Sequence, residues 1–246
     1  MRIIIWLTLM SFNFSNATSQ SFLSTQLKNS RVKKVWSNKS TSIKKLLTDK
    51  KISIDKLEIF IRAFKTEDKL EVWTKNKSDE KFILFKTYDV CAKSGVLGPK
   101  MKQGDGQVPE GIYSINRFNP TSTYYLSLGL NYPNAADKKR SKAKDLGGDI
   151  FIHGKCVTIG CLPLTDEWIE EVYMLAVLAK SAGQKDIIVH IFPFQMNERN
   201  WRIAIHTEIG KTQQLFWENL KSVYSYFEEN QKVGVWKTDV LGKYMR

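Results

Sequence analysis

The segment IHGKCVTIGCLPLTDE, Ile152 to Glu167, holds one of the chain's three histidines and two of its three cysteines within nine residues. Four kinds of chemistry suit such a cluster. As a catalytic pair, the Cys161 thiol attacks a carbonyl, and His153 takes the thiol proton and later delivers it to a leaving amine. The backbone N–H groups of Gly160 and Cys161 then serve the oxyanion. A neighbouring imidazole lowers a thiol's pKa, so Cys161 is expected to alkylate faster than a free cysteine near neutral pH. As a metal site, His153, Cys156 and Cys161 joined by Cys91 supply four zinc-type ligands, but the paired C-x2-C spacing of structural zinc is missing. As a disulfide, Cys91 pairs with Cys156 and Cys161 is left as the odd free thiol. The fourth reading is small apolar packing. No GxxxxGK[S/T] and no strand-to-helix GxGxxG is present; the expectation is no metal and no cofactor.

The cluster needs elements to position it. In GGDIFIHG, Ile150 and Ile152 share one face of a short strand, and Phe151 and His153 share the other. Gly154 lets the chain turn away. Thr165 is a suitable N-cap for a helix over about 166–182, with Asp166 and Glu167 at the positive end of its dipole. Ile169, Val172, Leu175, Ala176 and Ala179 form its apolar stripe, and Gly183 is placed to end it. Upstream, KLEIFIRAF, KLEVWTKN and EKFILFKTYDV alternate apolar and charged residues and read as an antiparallel meander. Cys91 to Gly111, with five glycines and two prolines, reads as a long loop. GIYSINRF and YYLSLGLNYP resume strands, the second ending in a turn at 131–134, and DIIVHIFPF adds another. Helices are expected over about 42–49 and 213–230. His190 reads as a satisfied core histidine, with an orienting role as its functional alternative, and His206 as an idle surface residue. The result is one α+β domain, mainly β, with helical additions.

Composition bounds the function. The 246 residues are 42% hydrophobic and 12% aromatic, enough for a real core. Residues 1–19 read as a secretory signal peptide, with Arg2 before the apolar run Ile3 to Met10 and small residues Ala17 and Ser19 at the cleavage site. Residues 20–54 form a basic, helical segment and residues 55–246 the main domain. The net charge of +13 suggests a polyanionic partner. Export redirects that from nucleic acid to the acidic cell envelope, with the membrane met only in transit. The basic run DKKRSKAKD, including Lys138, Lys139 and Arg140, reads as a solvated loop rather than a binding patch.

The blocks HGKCVTIGC and SGVLGPKMKQGDGQVPEGIYSI, with VHIFPF and the aromatic-rich C-terminal helix, resemble the L,D-transpeptidase catalytic domain of YkuD type. The likeness is closer to its divergent periplasmic branch, which carries H-G-x-C-V-S/T-x-G-C, and it runs from about Leu57 to Phe227. The resemblance implies a β-sandwich-like core with one helix after the catalytic cysteine and one at the C-terminus. It implies Cys161 as nucleophile, His153 as its base, and Thr158 and Gly160 at the signature positions whose backbone serves the oxyanion. The substrates implied are peptidoglycan stem peptides, attacked at diaminopimelate to give a thioester. A stem amine, a lipoprotein lysine or water then accepts the acyl group. Mainstream members read S-H-G-C-I/V-R, and that arginine holds substrate carboxylate. Here Ile159 replaces the histidine and Leu162-Pro163 the last two positions, so a bidentate carboxylate contact is lost. Lys100, Lys102 and Arg117 are the candidates to replace it. Otherwise the enzyme is a hydrolase that releases wall-linked outer-membrane lipoprotein or trims stems. A non-catalytic basic wall-binding protein is the reading from another class.

Overall fold

The alternating pattern from Leu57 becomes three antiparallel strands in this computed structural model, which describes residues 22–246. The signal peptide expected over residues 1–19 lies outside the described residues. The strands are β1 (Leu57–Phe64), β2 (Lys69–Asn76) and β3 (Ile83–Asp89). Downstream follow β4 (Gly111–Asn119), β5 (Ser127–Leu130), β6 (Phe151–His153), β7 (Leu162–Pro163) and β8 (Ile188–Phe192). All eight form one sheet in the order β3-β2-β1-β8-β4-β5-β6-β7. Gly111–Ser114 of β4 pairs with β8, while Ile115–Asn119 pairs with β5 across a register break between Ile115 and Arg117. Such an irregularity bends a strand, so β4 belongs to both halves of a curled sheet. The chain is α+β.

Both faces of β1 are buried. Ile59, Ile61 and Ala63 alternate with Phe60, Arg62 and Phe64, all at 4% exposure or less. The first face packs under helix α1 (Ser30–Asp49) and helix α3 (Asp166–Ser181), the second under helix α5 (Glu208–Asn230). Between these lie α2 (Ala135–Arg140) and α4 (Glu198–Ile205). A small hairpin of β9 (Lys237–Thr238) and β10 (Tyr244–Met245) ends the chain. No helix among the described residues is long and apolar enough to cross a membrane.

Helix α1 begins twelve residues before the expected Ser42. The Asn29 side chain accepts from the Arg31 and Val32 N–H groups, which caps the helix. Val32, Val35, Ile43 and Leu47 are at most 1% exposed, each burial worth about 1.5–3 kcal/mol. The N-terminal helix therefore shares the main core. Helix α3 is more than amphipathic: Tyr173, Met174, Val177 and Leu178 are buried as well as the expected stripe, because α3 lies between the sheet and α1. Its one buried charge, Glu171, accepts from Lys86 Nζ and Tyr88 Oη. Helix α5 starts five residues before the expected 213 and is preceded by α4, which sequence periodicity did not suggest.

Arg62 fastens α5 to the sheet. Its guanidinium donates to Glu71 and Glu228 and lies within 4.7–5.6 Å of the ring centroids of Phe227, Trp73, Phe64 and Tyr224. His190, its neighbour on β8, is a core residue but not a satisfied one. Its ring meets Phe60 and Phe192 edge-on, and neither ring nitrogen has a hydrogen-bond partner. Burial, with the Arg62 charge beside it, pushes its pKa down to about 3, so it is held neutral.

Only the second half of the basic run is a solvated loop, with Lys142 and Lys144 exposed; its first half is the end of α2. Asn134 and Asp137 form a capping box for α2. Lys139 donates to the carbonyls of Thr238 and Asp239, and Arg140 to Asp137 and the Gly242 carbonyl. Part of the cluster thus clamps the C-terminal hairpin.

Candidate active site

Strand register brings the thiol and the imidazole to one face. Ile152 pairs with Leu162 and His153 with Pro163 in the parallel β6–β7 ladder, so Cys161 stands beside Phe151. The Phe151 N–H donates to Cys161 Sγ at 3.4 Å. Phe151 and His153 are two apart on β6 and point the same way, which places Cys161 diagonally across from His153. Both line one cavity of about 520 Å³ with Tyr124, Asp149 and Thr158. No hydrogen bond joins them in this state.

The turn between β6 and β7 is held open by its own contacts. A Cβ on Gly154 would meet Asp166 Oδ1 at 2.7 Å and the Tyr124 carbonyl at 3.0 Å, so only glycine allows this approach. Lys155 follows at φ +63. Asp166, at the start of α3, fixes it by accepting from both its N–H and its Nζ.

His153 is 2% exposed. Its Nδ1 lies 2.6 Å from the Gly154 carbonyl. A carbonyl only accepts, so Nδ1 carries the proton and Nε2 keeps its lone pair for a substrate or thiol proton. Burial lowers the His153 pKa, and the Gly154 carbonyl only partly offsets this. Burial likewise raises the Cys161 pKa, with the Phe151 N–H opposing and the Asp149 charge adding to it. The resting pair is a neutral thiol and a neutral imidazole. Nothing in the resting geometry favours the expected preformed thiolate: burial is the largest influence on Cys161, and no hydrogen bond ties it to His153.

A sign follows for pH. His153 works as a base only when neutral, and its lowered pKa keeps it neutral to a lower pH than an ordinary imidazole. The acid limb of kcat/KM is expected below the ordinary imidazole value of about 6.5. Cys161 is expected to alkylate with iodoacetamide more slowly than free cysteine at pH 7, accelerating as pH rises through a pKa above the usual ~8.5. Rates measured from pH 5 to 10 check both; an acid limb above pH 6.5 would contradict the assignment.

The 91–110 loop forms the second wall. Cys91 and Cys156 are bonded, with Cα atoms 5.3 Å apart. Two of the four sulphur and imidazole groups in the zinc reading are thus committed to each other, and no group of three or more metal-binding side chains occurs among the described residues. The Gly160 N–H donates to Ser94 Oγ at 2.6 Å. Gly160 sits at φ +101, where a Cβ would meet the Gln107 carbonyl at 2.9 Å. Buried Glu110 gathers the loop onto the core, accepting from the Gly98 N–H, Lys65 Nζ and Trp217 Nε1. A cavity of about 280 Å³ lies between loop and sheet, lined by Lys65, Lys93, Ser94, Val96 and again Cys161. The nucleophile candidate opens on both cavities.

Several expected roles change. The Cys161 N–H donates to Thr158 Oγ1, which in turn donates to the Cys161 carbonyl. Both expected oxyanion donors, Gly160 and Cys161, are therefore engaged at rest. Lys100 is 6% exposed and donates to Asp105 and the Lys102 carbonyl, so it braces the loop instead of meeting substrate. Lys102 is exposed and lines neither cavity. Arg117 lies at the rim of the His153 cavity, donating to Asp149 and stacked 4.6 Å over Phe151. Sequence reasoning missed Ser94, Tyr124, Asp149 and Asp166, whose roles depend on contacts between distant segments. The rim is apolar: Val96, Val157 and Ile159 are 66%, 56% and 85% exposed.

Residues 58–191 match the L,D-transpeptidase catalytic domain family, YkuD. YafK of Escherichia coli (strain K12), provisionally named an L,D-transpeptidase, is 36% identical over 176 residues, which is 71% of this chain and 68% of YafK. YafK of Escherichia coli O157:H7 matches equally. Among solved structures, the helical cell shape determining protein Pgp2 from Campylobacter jejuni is 21% identical, with TM-score 0.45 over 75% of this chain and 74% of Pgp2. Bd1075 of Bdellovibrio bacteriovorus is 21% identical, with TM-score 0.39 over 55% of this chain and 47% of its own.

Proposed function

The chain belongs to the L,D-transpeptidase catalytic domain family, and from that premise we propose that it remodels peptidoglycan by cysteine acyl transfer in the periplasm. The observation that carries this reading is Cys161 opening on two cavities, one of them shared with a neutral His153. Cys161 Sγ attacks the carbonyl of the third stem residue while His153 Nε2 takes the thiol proton. The tetrahedral intermediate collapses, His153 returns the proton to the departing D-alanine amine, and a thioester forms. An amine of a second stem attacks that thioester, releases Sγ and makes a 3–3 cross-link. The Gly160 and Cys161 N–H groups serve the oxyanion once the Ser94 and Thr158 hydroxyls rotate away, each exchange costing about 0.5–1.5 kcal/mol.

A hydrolytic reading has its own observation. Pro163, buried with Leu162 in β7, stands where mainstream members carry the carboxylate-binding arginine. Arg117, beside the His153 cavity, is held by Asp149. Water then takes the acyl group, releasing wall-linked lipoprotein or trimmed stems.

Mass spectrometry of products from lipoprotein-bearing sacculi separates the readings. New 3–3 cross-links identify a transferase; freed lipoprotein or shortened stems identify a hydrolase. Salt-sensitive binding to sacculi without any product would instead favour the wall-binding alternative.

A further inference from the structure

Helix α1 lies outside the matched residues 58–191, yet one of its side chains reaches the active-site wall. Arg31 Nη1 shares its two N–H bonds among three carbonyls, those of Pro120 and Ser122 at 3.1 and 3.0 Å and that of Tyr125. These three belong to the 120–125 connection between β4 and β5. The Arg31 guanidinium also faces the Tyr125 ring, 5.1 Å from its centroid.

The connection is shaped by that clamp. Tyr125 holds φ +71, a conformation that non-glycine residues keep only where their surroundings enforce it. Its hydroxyl donates to Glu170 on α3 at 2.6 Å. The reversal at Tyr125 sends the preceding ring the other way, and Tyr124 lies over His153 with centroids 4.8 Å apart. Ser122, Thr123 and Tyr124 line the cavity that holds His153 and Cys161. Next along, the Leu126 carbonyl accepts from the Gly154 N–H, directly after His153. A second tie keeps α1 in place: Lys39 pairs with Glu167 at 3.0 Å and Glu170 at 3.9 Å.

We propose that Arg31 is a positioning residue for the reaction at Cys161: it clamps the 120–125 connection so that Tyr124 covers His153 and fixes the imidazole in the cavity it shares with the thiol. This rests on the acyl-transfer reading above. It makes the N-terminal helix a working part of the active site rather than an appendage, because a wall loosened by about 1 Å misaligns base and nucleophile.

Three variants of the full mature chain, Arg31→Ala, Arg31→Lys and Tyr124→Ala, test it on peptidoglycan substrate alongside hydrogen exchange. Arg31→Ala is expected to lower kcat about 10- to 100-fold while KM changes by less than about threefold. Exchange should rise over residues 119–126 and 153–161 but not in β1 and β2, which shows that the fold persists. Arg31→Lys keeps the charge without the planar fork and should fall between, and it carries the test if Arg31→Ala does not fold. Adding Arg31→Ala to Tyr124→Ala should cost little more than either alone, since both act through one wall.

Unchanged kcat in Arg31→Ala, or fully additive losses in the double variant, would overturn the proposal. If the unmutated protein turns over no peptidoglycan, the acyl-transfer reading fails separately. The Cys161 alkylation rate then replaces kcat: a rise in Arg31→Ala supports the clamp, and an unchanged rate refutes it.

Discussion

Cys161→Ala is expected to lose peptidoglycan turnover by at least about 10⁴-fold while keeping the fold. Nucleophile and base act as a unit, so removing the nucleophile leaves only binding and oxyanion contacts to favour reaction. Cys161 is the residue that lines both cavities, and its Sγ hydrogen bonds, from the Phe151 N–H and toward the Asp149 carbonyl, are long sulphur contacts of 3.4 and 3.6 Å. Their loss costs little stability, so the melting temperature should move by no more than about 2–4 °C. His153→Gln, which keeps volume but not the base, is expected to lose about 10²- to 10⁴-fold. Product release assayed from sacculi gives both values. Turnover within tenfold of the parent in Cys161→Ala would remove this residue from the chemistry.

Breaking the Cys91–Cys156 bond should be the largest single loss of stability available near the site. The bond closes a loop of sequence separation 65, for which chain entropy gives about 4 kcal/mol. At roughly 2–4 °C per kcal/mol for a chain of this size, Cys156→Ser or reduction by dithiothreitol is expected to lower the melting temperature by about 8–16 °C. Activity should fall too, since the same bond holds the wall that carries Ser94 against Gly160. Calorimetry with and without reductant reads the first effect. A melting temperature unmoved by reduction would mean that Glu110 and its three donors hold the wall without the disulfide.

Much of this was legible in local pattern. Period-two alternation located β1, β2 and β3 to within a few residues, and the Thr165 cap located the start of α3. The nine residues from His153 to Cys161 contain both groups proposed to react, and their rarity in the chain marks the cluster. Other features were hidden for physical reasons. The stripe of Val32, Val35, Ile43 and Leu47 is interleaved with lysine and serine, which masks its period until α3 is seen beneath it. Lys100 reads in sequence as a cation for substrate carboxylate, yet tertiary packing buries it against Asp105. The pKa directions of Cys161 and His153 are reversed from the simple thiolate–imidazolium picture because desolvation belongs to the folded environment, not to the motif. Arg31 is 122 residues from His153 in sequence, and no local rule connects a helix start to a tyrosine over an imidazole.

The most direct measurement is the intact mass of the protein quenched with acid during incubation with a tetrapeptide stem substrate. The account predicts an added acyl-stem mass, lacking the terminal D-alanine, that maps to Cys161, is released by hydroxylamine and is absent from Cys161→Ala. Product formed with no such adduct in the parent, or an adduct that persists in Cys161→Ala, would contradict it.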